Sequence, residues 1–210
     1  MFIIQRLSYY VVGLFLVFSS FTYAQSDWIK KYDEDGLVIY LKGKKTNEYR
    51  AEMIVDGPVK ACVGLMKDIK EHPKFMGGVK NASVLKEYNQ MESLIYCEID
   101  MPFPMSNNEI VSKAKFEVLD KGVVRIILKA EPYLYPKTKL TRLNLADGFW
   151  LFEPLAGNKT KVTYQLKFED SNAPNWIANY FILDGPKKTM FGFAKRVKQA
   201  KYNDVIISWL

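Results

Sequence analysis

From Lys80 to Glu169 the chain repeats one pattern: short runs with alternating apolar side chains, each cut off by turn residues. Lys80–Tyr88, Ser93–Ile99, Val111–Leu119, Val123–Lys129, Leu140–Asn144, Asp147–Glu153 and Lys161–Glu169 all read as strands. Asn89-Gln90, the stretch Met101–Val111, Asp120-Lys121-Gly122 and Ala156-Gly157-Asn158 separate them. Two more strands precede them, Gly36–Lys44 and Glu48–Asp56, joined at Lys45-Thr46-Asn47. Gly57-Pro58 then opens a helix, with proline early, where its missing N–H costs nothing. Val59, Cys62, Val63, Met66 and Ile69 give that helix an apolar face, and His72-Pro73 ends it.

The tail changes period. Pro174–Leu183 reads as a helix, Asp184-Gly185-Pro186 as a break, and Lys187 to about Ile206 as a long helix. Met190, Phe193, Ala194, Val197 and Ala200 form its inward stripe. Clustered strands with helices at the ends predict an α+β fold, a curved antiparallel sheet covered by the last helix.

Length and composition narrow the class further. Residues 1–24 have the layout of a cleaved secretory signal: Arg6 with no acid, the apolar run Tyr9–Phe21, then Thr22-Tyr23-Ala24 before Gln25. The expected mature chain, 25–210, is the size of one domain and works in the periplasm or outside the cell. Its formal charge falls from +7 to +6 once Arg6 leaves, which favours anionic surfaces, phospholipid head groups ahead of nucleic acid. Cys62 and Cys97 read as two buried thiols, although an oxidising compartment would let them pair.

Enzyme signatures are scarce. His72 is the lone histidine, and it sits in a helix-ending His-Pro where a structural role is the expectation. GxSxG, HExxH, P-loop and GxGxxG motifs are absent from the sequence, as is close zinc spacing. No catalytic residue, metal or cofactor is assigned.

Three stretches resemble START domains, a branch of the helix-grip (SRPBCC) superfamily: DWIKKYDEDGLVIYLK (27–42), KDIKEHPKFM (67–76) and Leu140–Phe181. In the last, Arg142, Glu153-Pro154, Thr160 with Thr163, and Pro174-Asn175-Trp176 follow one another in the family's order. The resemblance implies a helix-grip fold whose internal apolar cavity holds a lipid or sterol without covalent chemistry. Where the family often carries Arg-Asp, this chain has Asn108-Glu109, which puts in doubt any pairing built on that arginine.

Candidate site residues follow. Alternation in Ser93–Ile99 puts Tyr96 and Glu98 on one face and Ile95, Cys97 and Ile99 on the other. Hydrophobicity turns the second set inward, and the resemblance the first, so the parity stays open. Arg125 is a candidate buried partner, and Trp150, Met190, Phe193 and Val197 complete the expected cavity. The resemblance makes Met101, Phe103 and Met105 a flap over its mouth, with Pro102 and Pro104 limiting its conformations. The apolar PYLYP loop (132–136) invites the same reading more weakly. Lys187, Lys188, Lys195, Arg196, Lys198 and Lys201, with no acid between Asp184 and Asp204, form an expected docking face for anionic membrane. The expected partners are therefore a hydrophobic small molecule and a membrane surface, met as a monomer. Two rivals stand beside this: an interaction module whose interior Phe149, Trp150 and Phe152 fill, and a cyclase or hydrolase on the same fold.

Overall fold

A computed structural model describes residues 27–43, 47–168 and 180–210. The signal peptide and the Pro174-Asn175-Trp176 helix start lie outside the described residues. In chain order the elements are β1 Trp28–Glu34, β2 Leu37–Lys42, β3 Glu48–Asp56, α1 Val59–Lys67, a 3-10 turn Ile69–Glu71 and α2 His72–Phe75. They continue as β4 Val79–Asn89, β5 Glu92–Ile99, β6 Asn108–Val118, β7 Val124–Ala130, β8 Thr141–Arg142, β9 Ala146–Leu155 and β10 Lys159–Phe168. A π-helical turn Tyr180–Asp184, α3 Gly185–Arg196 and α4 Ala200–Asn203 complete them.

The strands form a single curved sheet in the order β1-β2-β3-β10-β9-β7-β6-β5-β4. Neighbours along this path are antiparallel, but β8 joins β6 in parallel, Asn108 beside Thr141 and Glu109 beside Arg142. Alternation supplies the inward faces: Tyr49, Ala51, Met53 and Val55 of β3, and Trp150 and Phe152 of β9, are buried. The β9–β10 hairpin closes at Gly157 and Asn158, both at positive φ (73° and 57°), a conformation open chiefly to Gly and Asn.

Three expectations for the helices change. Rather than simply ending α1, His72-Pro73 starts α2, with proline in the first turn. Asp184-Gly185-Pro186 is not a break: the π-helical turn runs straight into α3, where Pro186 again occupies the first turn. That helix stops at Arg196 rather than near Ile206, because Gln199 turns extended and sends the tail back across α1. The tail is held there by Lys201 and the Tyr202 hydroxyl, which both donate to Asp68 Oδ2, at 2.9 and 3.0 Å. The expectations also lacked β1, which pairs with β2 from Trp28 to Glu34.

Candidate functional site: an internal apolar cavity

The sheet curls around more space than its own side chains fill, and a cavity of about 480 Å³ remains. One wall is the inward face of β5 and β6: Ile95, Cys97 and Ile99 opposite Ile110, Ser112 and Ala114. Ile126, Leu128, Tyr164 and Leu166 continue it along β7 and β10, with Trp150 behind. Met76 and Gly77, with Gly185, Pro186 and Thr189 from the start of α3, roof it, and the lining residue Met105, 38% exposed, marks a mouth with Met101 and Phe181 beside it.

The parity of β5 is therefore the one hydrophobicity dictates. Tyr96 and Glu98 point away from the cavity. Glu98 finds its partners outside, accepting hydrogen bonds from Asn81 at 2.6 Å and Asn107 at 2.7 Å, with Lys80 at 3.2 Å. Tyr96 shares its face with Glu109, and its phenol is pushed up by burial first and then by that negative charge. Arg125 also lies outside: Val124 and Ile126 take the buried positions of β7, and the guanidinium reaches Glu117 at 2.6 Å on the half-exposed outer face.

The residues expected along the last helix divide differently. Met190, Phe193 and Val197 are fully buried, yet none lines the cavity. Phe193 stacks on Trp150 (centroids 5.3 Å apart) and Phe152 (5.9 Å) and meets Phe75 edge-on at 5.9 Å. An aromatic cluster thus fills one half of the interior, and the cavity occupies the other. Trp150 belongs to both halves: it lines the cavity, its ring lies 4.1 Å from Tyr164, and its indole N–H is buried without a partner among the described residues.

The expected flap also divides. Met101 is buried and Met105 lines the mouth, but Phe103 is 93% exposed and points into solvent. Asn107 holds the base of this loop, its side-chain oxygen accepting from the Met101 N–H at 3.1 Å while its amide donates to Glu98.

The basic helix does not present a one-signed face. Arg196 meets Glu71 at 3.1 Å, Lys198 meets Asp56 at 2.7 Å, and Lys201 meets Asp68 at 2.9 Å and Glu71 at 3.3 Å. Lys187 sits 3.8 Å above the Tyr32 ring, while Lys188 and Lys195 are exposed. The neutralising acids belong to segment 56–71, far away in sequence.

Charged groups line the cavity at Lys67, Glu87 and Glu92, near the β4–β5 turn, while the buried histidine and thiols are neutral. His72 is buried beside Phe75 with its Nε2 3.0 Å from the Met66 carbonyl, and burial pushes its pKa down from 6.5 to about 4. Cys62 and Cys97 are both free thiols, pushed up to about 12 by burial. Cys62 lies in the core, whereas Cys97 stands in the cavity wall.

Sequence reasoning missed one buried pair behind this wall. Glu109 and Arg142, on the outer face of β6 and β8, form an ion pair at 2.6 Å with both side chains wholly inaccessible. Arg142 also donates to the carbonyls of Pro132 (2.9 Å), Tyr135 (2.7 Å) and Pro136 (2.9 Å), and the Thr138 hydroxyl donates to Glu109 at 2.7 Å. Burial raises the Glu109 pKa, but the hydrogen bonds from Thr138 and Arg142 outweigh it and leave the carboxyl below its ordinary value. The readable signal was Glu109 as the one charged residue among Asn108, Ile110 and Val111, followed downstream by the arginine-bearing strand.

A curved antiparallel sheet closed by a C-terminal helix around an apolar cavity defines the helix-grip class, and the fold here is that of START domains. A STAR-related lipid transfer protein fragment from Xanthomonas axonopodis superposes with a TM-score of 0.75 at 24% identity, over 82% of this chain and 99% of that one. Human STARD10 superposes at 0.73 and 16% identity (85% and 76%), and human StAR-related lipid transfer protein 5 at 0.68 and 16% (83% and 88%). No protein-family model matches the chain. In sequence it is 32% identical over 171 residues to the uncharacterized protein PA1579 of Pseudomonas aeruginosa, covering 79% of this chain and 84% of that protein. The chain belongs to the same family as PA1579.

Proposed function

We propose that this protein binds one hydrophobic molecule, a lipid or sterol-like compound, in its internal cavity and moves it between membranes without covalent chemistry. The observation that carries this is the cavity itself: about 480 Å³, walled by Ile95, Ile99, Ile110 and Leu128, with two methionines at its mouth. That volume falls within the range of sites for small hydrophobic ligands, about 300–1,000 Å³. The structural likeness to lipid transfer proteins supports the same reading. A histidine that burial holds to a pKa of about 4 makes a poor general base at neutral pH, which favours carriage over catalysis. The site of action proposed is outside the cytoplasm, with 25–210 as the mature single domain.

The test is native mass spectrometry of protein purified without detergent, with solvent extraction of whatever is bound. Wild type should carry a discrete hydrophobic mass, and Ile110→Trp, which fills the cavity, should lose it while keeping its circular dichroism. A bare wild type that stays bare after incubation with lipid vesicles would overturn the proposal in favour of an interaction module. Conversion of the bound compound on incubation would move it to an enzyme.

A further inference from the structure

The loop between β7 and β8 is built oddly for a connection. Its sequence, EPYLYPKTKL (131–140), carries an apolar tip in place of a polar one. Tyr133 is 88% exposed, Leu134 50% and Tyr135 40%. Three large side chains in succession held in water are a cost without a partner. Beneath them the backbone is fixed. The Arg142 guanidinium holds the carbonyls of Pro132, Tyr135 and Pro136, Thr138 ties back to Glu109, and the Glu131 N–H donates to the Val111 carbonyl at 2.8 Å. The loop projects its apolar tip from a rigid, buried polar base.

Its position matters as much as its make-up. β8 pairs with the first two residues of β6, Asn108 and Glu109, so the tip leaves the sheet beside the loop that carries Met101 and Met105 to the cavity mouth. Exposed Phe103 projects from that neighbouring loop. Between Glu131 and Leu140 the charged side chains are Lys137 and Lys139, both exposed and neither in an ion pair with a described carboxylate. Exposed tips on two neighbouring loops suit a partner that can receive isolated side chains at any point. Tyrosine, apolar in body and polar at its end, suits a boundary between hydrocarbon and water. Basic flanks suit negative charge on the same surface.

We infer that Tyr133, Leu134 and Tyr135 are a membrane anchor that seats the protein on an anionic bilayer with its cavity mouth facing the lipid, Lys137 and Lys139 meeting the head groups. The basic residues of α3 and the tail, Lys188 and Lys195 included, are not the docking surface. This deepens the carrier reading by giving it an orientation, and it rests on that reading only for its purpose.

The experiment is sedimentation of the full chain with vesicles of phosphatidylcholine containing one-third phosphatidylglycerol, and with phosphatidylcholine alone. Wild type should bind the mixed vesicles, more weakly as salt rises, and should bind the neutral vesicles at least tenfold less. The double variant Tyr133→Ser/Leu134→Ser should lose binding at least tenfold while keeping its melting temperature and any bound mass. Lys188→Gln/Lys195→Gln should bind as wild type does. Undiminished binding by the loop variant, or loss only in the helix variant, would overturn the anchor and leave the carrier standing. Failure of wild type to bind any vesicle would overturn it too, and would turn the loop toward a protein partner. Loop-dependent binding by a protein that never holds a ligand would keep the anchor and sink the carrier.

Discussion

Glu109 and Arg142 meet at 2.6 Å with no surface of either side chain reachable by water, and this pair supports the loop that overhangs the cavity mouth. Taking away one partner of a buried pair leaves the other charged and unsatisfied, at a cost of about 3–5 kcal/mol. Arg142→Met should therefore lower stability by that amount, read from the urea midpoint, and the loop 131–140 should gain proteolytic sensitivity first. Glu109→Gln/Arg142→Met should cost less than Arg142→Met alone. The relation fails if the double variant is the weaker one.

His72 gives the fold a pH dependence of definite sign. Its folded pKa of about 4 lies below the ordinary 6.5, so between these values the unfolded chain takes up a proton that the folded chain refuses. Stability from this group is full above about pH 6.5 and is lost as pH falls toward 4, by about 3 kcal/mol in total. The depressed carboxylates Asp68, Glu71 and Glu98 add their losses only at lower pH, so unfolding at pH 7.5 and pH 5 isolates the histidine. His72→Gln should flatten the difference. Equal midpoints for wild type at both pH values would refute this.

Both cysteines should react with thiol reagents far more slowly in the native state at pH 8 than in the unfolded chain, since burial keeps them protonated. Denaturation should release two titratable thiols, and mass spectrometry should find no bridge. Because Cys97 stands in the cavity wall and Cys62 does not, a small apolar maleimide should reach Cys97 first, and more slowly when the cavity is loaded. Equal rates at the two positions would contradict the cavity's placement.

Gly77 touches the start of α3 backbone to backbone. A Cβ there would lie 2.3 Å from the Gly185 carbonyl oxygen, and the Gly77 N–H donates to Thr189 Oγ1 at 2.8 Å. Gly77→Ala should push the helix start off the cavity roof, costing about 1–3 kcal/mol. It should also speed ligand loss in vesicle exchange assays. Unchanged stability would mean the roof gives way more easily than this contact implies.

The strand pattern was legible because period-two alternation and turn residues are local signals. β3 matches its expected range from Glu48 to Asp56, and β4 to β7 and β10 lie within a few residues of theirs. What depended on distant partners was not legible. The basic residues 196–201 looked one-signed because their acids lie at positions 56–71. Arg125 looked like a ligand hook because nothing local shows that Glu117 stands across from it. Phe193 and Met190 were rightly inward, but only the third dimension shows that they fill one half of the interior and leave the other open. For β5, alternation had already offered the observed face, since burying Glu98 would have cost more than burying Ile95.

Among the described residues the sheet runs from β1 to β4 without its ends pairing, so the outer edge of β4 pairs with no described strand. Its pairing with β5 slips at three places, between Val79 and Asn81, Val84 and Lys86, and Glu87 and Asn89. An edge bent so often, with Lys80 and Lys86 exposed along it, offers no straight row of donors and acceptors for a strand from another molecule. A protein that must keep an apolar hollow open in dilute solution is thereby protected from being zipped to its own copies, and crowding should leave it dispersed rather than fibrous.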